Sequence, residues 1–270
     1  MERIVRKYLV NHLEIHQKLN PSQHGFRNRR SCLSQLLNHY DKVFGFLEDG
    51  KNVDSIYLDF SKAFDKVYLG ILCHKLRDIG ISGKLGNWLH NFLSDRKQYI
   101  IANGVKSSQS EVTSGVPQGT VLGPILFLIL INDINKDVLS EVSLFADDTR
   151  IVKPFKDFDD VEDLQSDLET LYLWQDQNNM QFNGNKFELL RYGRDEDLKF
   201  STNYLTPGAE EIIDTKECLR DLGVMMSDDA KFTEHVYHVC SKVRQKCGWI
   251  LRTFNCSKTF FLKFMWKTLV

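Results

Sequence analysis

The spacing of apolar residues along this chain predicts a fold that mixes strands and helices. Short runs of leucine, isoleucine, valine and aromatic residues are typical of strands, and apolar residues three and four apart are typical of helices. Hairpins interrupt strict strand–helix alternation, so we expect the α+β class: a mostly antiparallel sheet with helices on one face. The predicted strands are 54–60, 142–146, 149–153, 187–192 and 219–226. The predicted helices are 61–80, 83–96, 121–131 and 158–178.

Two turns stand out within this pattern. Asn103-Gly104 separates two strand-like runs and is the strongest short-range hairpin signal. The stretch SLFADDTRIV at 143–152 predicts a second hairpin with Asp147 and Asp148 at its tip. Aspartate is an ordinary turn residue, because its side chain can bond to the nearby backbone. The pair therefore indicates either a plain turn or part of a metal site, depending on which other ligands lie near it.

The composition indicates a globular protein. With 270 residues, 42% of them hydrophobic, the chain can bury the core of one large domain or two modest ones. Its six cysteines include no C-x-x-C pair, which argues against a zinc site or a disulfide framework and favours a reducing, intracellular setting. We expect no signal peptide, and the most apolar stretch, 121–131, is shorter than the roughly 20 residues of a membrane span.

Charge is distributed unevenly along the chain although its formal net value is only −1. Residues 1–40 hold seven Lys and Arg against two Glu, and residues 231–270 hold eight against Glu234 alone. Residues 157–169 hold seven acids and no base. Basic ends suit a protein that contacts phosphates, but the same pattern also fits solvated surface helices without a partner.

Asp59 ends the first predicted strand and is the natural third carboxylate. If that strand lies beside the 142–153 hairpin, Asp59, Asp147 and Asp148 meet at one edge of the sheet. Three such acids repel one another unless cations neutralise them. Because Mg²⁺ prefers carboxylates together with substrate phosphates, the sequence predicts a two-metal site for in-line phosphoryl transfer.

Three motifs, in this order and at this spacing, resemble the reverse transcriptase family. They are YLDFSKAFDKV at 57–67, SGVPQGTVLGP at 114–124 and LFADD at 144–148. Together with QHGFRNRRS at 23–31, they are similar in particular to the enzymes of non-LTR, LINE-type retrotransposons of the jockey and chicken-repeat sort. The resemblance extends from about residue 21 to about residue 226.

The resemblance implies a right-hand polymerase with a ferredoxin-like palm. The fingers would comprise about 1–52 and 83–112, and the palm about 53–82 and 113–226. Residues 227–270, with the basic amphipathic segment at 240–254, would begin a helical thumb that is incomplete in this chain. The implied activity is that of an RNA-directed DNA polymerase, a nucleotidyltransferase that extends a DNA primer 3′-OH with deoxynucleoside triphosphates on an RNA template.

The resemblance also assigns the catalytic residues. Asp59 and Asp147 match the carboxylates that bind both metals, two Mg²⁺ with Mn²⁺ as a possible substitute, and Asp148 matches the neighbouring acid. The carbonyl of Phe60 would be a further metal ligand. Lys186 matches the lysine that protonates the leaving pyrophosphate, although a phenylalanine follows it where many relatives have threonine or serine; an exposed lysine without a role is the alternative.

Other matched residues would contact the nucleotide and the primer. Arg27 would contact the triphosphate or the template backbone, and Phe64 would be the aromatic gate that rejects a 2′-OH. Gln118 and Gly119 would lie against the incoming nucleotide and the template base. Leu222, Gly223 and Val224 would form the primer grip. Each assignment has a plain alternative. Arg27 could be a solvated arginine and Phe64 a core phenylalanine. The 118–119 segment could be a loop shaped by glycine and proline, and 222–224 the turn of an edge hairpin.

Two further interpretations of the chain stay open. It could be a truncated retroelement remnant that is catalytically silent and at most binds nucleic acid. It could also be a relative of group II intron maturases or telomerase, although the FSKAFD and QHGFR forms favour the LINE type. The retrotransposon resemblance implies action in the nucleus, and the sequence does not indicate an oligomeric state.

Overall fold

The computed structural model describes residues 1–193, 203–209, 211–254 and 259–269. Its strands, in chain order, are β1 (Asn52–Leu58), β2 (Lys97–Gln98), β3 (Ile101–Ala102), β4 (Val105–Lys106), β5 (Ser110–Glu111), β6 (Glu141–Phe145), β7 (Asp148–Phe155), β8 (Glu188–Tyr192), β9 (Leu205–Thr206), β10 (Glu211–Ile212), β11 (Asp214–Lys216), β12 (Cys218–Asp221) and β13 (Val224–Ser227). Its α-helices are α1 (Glu2–Ile15), α2 (Cys32–Glu48), α3 (Leu69–Asp78), α4 (Gly83–Leu93), α5 (Gly123–Leu130), α6 (Phe158–Gln177), α7 (Thr233–Thr253) and α8 (Thr259–Leu269).

A five-stranded mixed sheet in the order β11-β8-β1-β7-β6 carries the fold. All neighbours in it are antiparallel except β11 and β8, which are parallel. The expected α+β class is therefore correct, with one parallel edge added to the antiparallel sheet. Strand β1 lies at the centre, and its register against β7 ends with Leu58 opposite Thr149.

Helices cover both faces of the sheet, so the prediction of helices on one face is wrong. Ile56 and Ile151 belong to the larger core, which includes the uniformly apolar helix α5. Val53 and Val152 belong to a second core that contains Tyr40 and Val43 of α2. Neighbouring residues of a strand point to opposite faces, and because β1 and β7 carry apolar residues on both, both faces need a cover.

The segment 61–68 is a series of turns, and this corrects the predicted helix at 61–80. Lys62 has a left-handed backbone with φ +53°, and the helix begins only at Leu69. The carbonyls of Phe64 and Val67 accept hydrogen bonds from Val116 and Gly115, at 2.9 and 2.8 Å. Because these carbonyls bond to a distant loop, they are not used for an α-helix.

Other predicted elements are present. The Asn103-Gly104 turn joins β3 to β4, the aspartate turn joins β6 to β7, and helices α4 and α6 lie where they were expected. The strand predicted at 219–226 is a hairpin, because Leu222 and Gly223, both at positive φ, separate β12 from β13. The expected basic helix at 240–254 is part of α7.

Two further expectations concern membrane spans and the bounds of the palm and thumb. In the described ranges, the helices lack the combination of length and apolar character that crossing a membrane requires. The expected palm and thumb ranges include residues 194–202, 210, 255–258 and 270, which lie outside the described residues.

Candidate active site

The fold brings the C-terminal end of β1 beside the N-terminal end of β7. These strand ends lie along one border of the central sheet, which is called the sheet edge below. Asp59 follows β1 directly, and Asp148 begins β7, so the register of the two strands places them side by side. The backbone of Asp59 is fixed from the other side as well, because its carbonyl accepts a hydrogen bond from Asn183 at 2.8 Å. Asp59 therefore lies next to the aspartate hairpin, as predicted.

Asp147 lies in the two-residue turn between β6 and β7. Phe145 pairs with Asp148 across this turn, and Ala146 has a left-handed backbone with φ +56°. Turns that require positive φ suit the twist of a hairpin but are costly for a residue with a Cβ. The conformation of Ala146 therefore needs support from its surroundings.

Burial and the charges of neighbouring acids raise the pKa values of Asp147 and Asp148. Burial of its carboxyl group, and then repulsion by Asp59, raises the pKa of Asp147. The pKa of Asp148 is raised to about 6 by burial and by the charges of Asp147, Asp221 and Asp59. Asp148 as a residue is exposed, so water screens part of this repulsion. A nearby cation would relieve it further.

Lys186 supplies one such cation. It ends a short 3₁₀-helix, Gly184–Lys186, and its Nζ lies 2.8 Å from Oδ2 of Asp59. The hydrogen bond to Asp59 and the charge of that carboxylate raise the pKa of Lys186, so the amine is held protonated. The structure thus places the lysine suggested by the sequence next to the acids.

The donor set suits a hard divalent cation, but the side chains are not gathered around one position. Within the part of the chain that the structure describes, no three His, Cys, Asp or Glu side chains are arranged to hold a metal ion. Asp59 is directed towards Lys186 instead. Carboxylate oxygens are ligands that Mg²⁺ prefers, and the residues that would hold it are Asp59, Asp147 and Asp148.

A cleft of about 460 Å³ opens between this edge and the β12–β13 hairpin. Asp59 and Lys186 line one wall, and Arg150, Asp221 and Leu222 line another. The expected primer-grip residues Leu222 and Gly223 form the hairpin turn, and Val224 begins β13. Asp59, Asp148 and Leu222 of this turn therefore line the same cleft.

A buried ion pair fixes the β12–β13 hairpin to the sheet. Nη1 of Arg150 on β7 donates a hydrogen bond to Oδ2 of Asp221 on β12, and only 3% and 11% of these side chains are exposed. The guanidinium also lies over the ring of Tyr57, 5.4 Å from its centre. Burial raises the pKa of Asp221, and the charge of Arg150 opposes that rise.

Phe60 and Phe64 are both held by other rings. Phe60 is buried and stacks on Phe182 with ring centres 4.3 Å apart. Phe64 stacks on Phe127 of α5 at 4.4 Å and meets Phe26 edge-on at 6.5 Å. Phe64 therefore lies between α5 and the segment at 23–31. Its role as a gate, and that of the Phe60 carbonyl as a ligand, stay predictions.

The loop with Gln118 and Gly119 packs on the turns that carry Phe64. Gln118 donates a hydrogen bond from Nε2 to Oδ1 of Asp65 at 2.8 Å, and Gly119 is exposed with φ +75°. Gly115 has φ +86°, and a Cβ there would lie 2.8 Å from the carbonyl oxygen of Asp65. Glycine at 115 permits this close approach of two backbones.

Arg27 makes intramolecular contacts. Its guanidinium forms a two-point hydrogen bond with Glu14 of α1, at 3.1 and 2.7 Å, and donates to the carbonyl of Asn20 at 2.9 Å. Its side chain is 11% exposed. This geometry joins the segment at 23–31 to α1, and contact of Arg27 with a triphosphate stays a prediction.

Gln23, Arg150 and Asp221 contribute to the site but were not predicted from the sequence. A charged residue at an inward position of a strand is a usable signal, because it requires a buried partner. Arg150 in TRIV fits that description, since Thr149, Arg150 and Ile151 are all buried. Asp221 and Gln23 carry no comparable local signal, and their partners lie 71 and 123 residues away in sequence.

Comparisons with known proteins identify the family of this chain. The family described as "Reverse transcriptase (RNA-dependent DNA polymerase)" matches residues 1–226. The chain is 24% identical over 272 aligned residues to the RNA-directed DNA polymerase from mobile element jockey of Drosophila melanogaster. The alignment covers 94% of this chain but only 29% of that relative. It is 24% identical over 263 residues to the probable polymerase from transposon X-element of the same species, covering 93% of this chain and 28% of that one.

Solved structures share the fold. Apo telomerase from Candida tropicalis, truncated from its C-terminal domain, aligns with a TM-score of 0.56 at 14% identity, over 83% of this chain and 43% of that one. The Candida tropicalis telomerase in complex with a fragment of telomeric RNA aligns with a TM-score of 0.55 at 14% identity, over 92% and 41%. The chain therefore belongs to the reverse transcriptase family and is related to the polymerases of the jockey and X-element type of non-LTR retrotransposon.

Proposed function

We propose that this chain is the RNA-directed DNA polymerase domain of a non-LTR retrotransposon. One observation carries the proposal: Asp59, Asp147 and Asp148 lie at one edge of the sheet, with Lys186 bonded to Asp59. The same cleft is bordered by the turn at Leu222. This arrangement provides negative charge for cations, a proton donor and a wall for a primer end in one place.

The proposed reaction is attack of a primer 3′-oxygen on the α-phosphorus of a deoxynucleoside triphosphate. The new P–O bond forms as the bond to the β-phosphate oxygen breaks, and pyrophosphate leaves. Bound Mg²⁺, or Mn²⁺ in its place, would lower the pKa of the 3′-hydroxyl and neutralise the phosphates. Asp59, Asp147 and Asp148 would hold the ions, with the Phe60 carbonyl as a further ligand. Lys186 would donate a proton from Nζ to the pyrophosphate.

Other residues would position the substrates. Phe64, supported by Phe127, would present its ring edge to the sugar and reject a 2′-OH. Gln118 and Gly119 would contact the incoming nucleotide and the template base. Arg27 could reach a phosphate only by releasing Glu14. Leu222, Gly223 and Val224 would hold the primer end against the cleft.

The proposed organisation follows the polymerase hand. Residues of about 1–52 and 83–112 would form the fingers, and about 53–82 and 113–226 a ferredoxin-like palm. Helix α7 would begin the thumb, and its Lys242, Arg244 and Lys246 would meet the nucleic-acid backbone. The proposed partners are an RNA template, a DNA primer and deoxynucleotides, and the proposed place of action is the nucleus.

A silent fold that binds nucleic acid is the second candidate. One observation favours it: Asp59 is paired with Lys186, and the described acids are not gathered into a metal cluster. In that case the acids would persist without catalysis, and the basic surface of α7 would be the functional part.

Primer extension by residues 1–270 distinguishes the two candidates. The assay uses an RNA template, a DNA primer, deoxynucleotides and Mg²⁺ or Mn²⁺, with Asp147→Asn in parallel. The control variant is Asp137→Asn, which changes an exposed aspartate beyond the opposite end of β6. We expect extension by the native chain and the control, and none by Asp147→Asn. A folded native chain that binds primer–template without extending it would refute the polymerase and support the second candidate.

A further inference from the structure

The side chain of Gln23 is buried against the turn that carries Asp147. It is 2% exposed and contacts Ala146, 123 residues away in sequence. Its Oε1 accepts hydrogen bonds from the N–H groups of Gly25 and Ala146, at 2.7 and 2.9 Å. Its Nε2 donates to the carbonyl of Ala146 at 3.3 Å. One planar amide therefore satisfies both backbone groups of Ala146.

The chain on either side of Gln23 is bonded to the edge strand β6. The N–H of His24 donates to the carbonyl of Leu144 at 2.8 Å, and the N–H of Leu144 donates to the carbonyl of Ser22 at 3.1 Å. Gln23 and Leu144 form a parallel bridge. This bridge fixes the position of the segment along β6 and brings the amide of Gln23 to the turn.

Gly25 lets this segment approach the turn closely. A Cβ on Gly25 would lie 2.3 Å from the backbone nitrogen of Ala146 and 3.1 Å from its Cα. A side chain there would displace one backbone from the other. The contact between the two segments is therefore a close approach of main chains, with Gln23 as its hydrogen-bonding part.

Ala146 needs such support. A left-handed backbone costs a residue with a Cβ about 1–2 kcal/mol, and a buried N–H or C=O without a partner costs a comparable amount. Ala146 is buried and has φ +56°. Gln23 offsets both costs in the observed conformation, and in that conformation Asp147 and Asp148 point to the sheet edge shared with Asp59.

We infer that Gln23 is a positioning residue for the catalytic turn: its amide fixes Ala146 and thereby sets the directions of Asp147 and Asp148. The catalytic half of this inference rests on the proposed polymerase function, whereas the structural half does not. The segment QHGFR would then act on the acids through its glutamine, independently of any phosphate contact by Arg27.

Hydrogen–deuterium exchange tests the structural half without any need for activity. The variants are Gln23→Met, which removes all three bonds, and Gln23→Glu, which keeps the Oε1 acceptor for both N–H groups. The matched control is Gln165→Met, because Gln165 bonds both backbone groups of Leu205 in the same way, at 2.9 and 3.0 Å, far from the acids. Peptides that cover 142–150 are compared by mass spectrometry.

We expect exchange at the Ala146 amide to rise about tenfold or more in Gln23→Met, to rise less in Gln23→Glu because the acceptor for the Ala146 N–H is kept, and to stay native in Gln165→Met. Native exchange in folded Gln23→Met would overturn the inference. If Gln23→Met does not fold, Gln23→Asn keeps the amide on a side chain one methylene shorter and should show the same faster exchange. Native exchange there would equally overturn it.

Primer extension then tests the catalytic half. Gln23→Met should lower kcat about tenfold or more with little change in the KM for deoxynucleotide, because the acids move while the Phe64 and Gln118 surfaces stay. Gln23→Glu, which keeps only the acceptor half of the contact, should recover part of kcat. A native kcat in Gln23→Met would contradict positioning, whereas a native chain that is itself inactive would count against the proposed function and leave the exchange result to decide the structural half.

Discussion

Two of the ion pairs that line the cleft, Lys186–Asp59 and Arg150–Asp221, differ in their exposure to water. In the Lys186–Asp59 pair the side chains are 64% and 33% exposed, whereas in the Arg150–Asp221 pair they are 3% and 11% exposed. Water and competing ions can replace either partner of the exposed pair. Neither partner of the buried pair can be removed without leaving an uncompensated charge. The exposed pair is therefore suited to chemistry and the buried pair to holding the β12–β13 hairpin on the sheet.

Arg150→Met removes the cation of the buried Arg150–Asp221 pair and should cause the largest loss of stability among the variants. Removing one partner of a buried pair typically costs about 3–5 kcal/mol, here because Asp221 would stay buried without its cation. Urea denaturation should show that loss in the free energy of unfolding. The double variant Arg150→Met/Asp221→Leu should recover most of it, because an apolar pair leaves no buried charge. A single variant as stable as the native chain would contradict the architectural role.

Lys186→Met removes the cation of the exposed Lys186–Asp59 pair. We expect primer extension to slow by about 100-fold or more, since a positioned general acid typically contributes 10²–10⁴-fold. The urea midpoint should stay unchanged because the pair lies in solvent. Lys216→Met is a matched control, because Lys216 lines the same cleft and pairs with Asp214 rather than with a proposed catalytic acid. Equal extension rates for the two lysine variants would remove Lys186 from the mechanism.

His24 adds a third case to the comparison of the two ion pairs. It lies near positive charges, and unlike arginine it can become neutral by losing a proton. Burial, and then the charges of Arg30, Arg27 and Arg150, lower the pKa of His24 from 6.5 to about 4. Between these values the unfolded chain binds more protons than the folded chain. The free energy of unfolding should therefore fall as pH falls from about 6.5 to about 4. Because His24 is only partly buried, water screens the neighbouring charges and reduces the size of this fall.

Urea denaturation at pH 7 and pH 4 measures this effect. The variant His24→Asn should lose less stability between the two pH values than the native chain, because it has no imidazole to protonate. Other groups titrate in both proteins, so the difference between them isolates His24. Equal losses in the two proteins would contradict a neutral His24 in the fold.

The sequence predicted those parts of the fold that depend on local pattern. The β6–β7 hairpin and the Asn103-Gly104 turn follow from alternation and turn residues, and both are present. The helix predicted from Ser61 begins at Leu69 instead, because two carbonyls of the preceding segment bond to the loop at 115–116. A tertiary contact of that kind leaves no periodic signal in the segment itself.

The site could be predicted as far as motif residues go. The nearness of Asp59 to Asp148 was expected on the condition that the first predicted strand lies beside the 142–153 hairpin, and β1 does pair with β7. The engagement of Arg27 by Glu14, and of Ala146 by Gln23, could not be derived from spacing. Both depend on side chains that meet across the fold, where charge and hydrogen-bonding capacity, rather than periodicity, decide the partner.

Binding of Mn²⁺ tests most directly the claim that the acids at the sheet edge form a site for divalent cations. Electron paramagnetic resonance follows free Mn²⁺ during titration of the native chain, Asp147→Asn and Asp137→Asn at pH 7.5, above the raised pKa of about 6 at Asp148. The account predicts that Asp147→Asn weakens binding about tenfold or more, while Asp137→Asn binds like the native chain. Equal affinity in all three proteins would contradict a metal site at Asp59, Asp147 and Asp148.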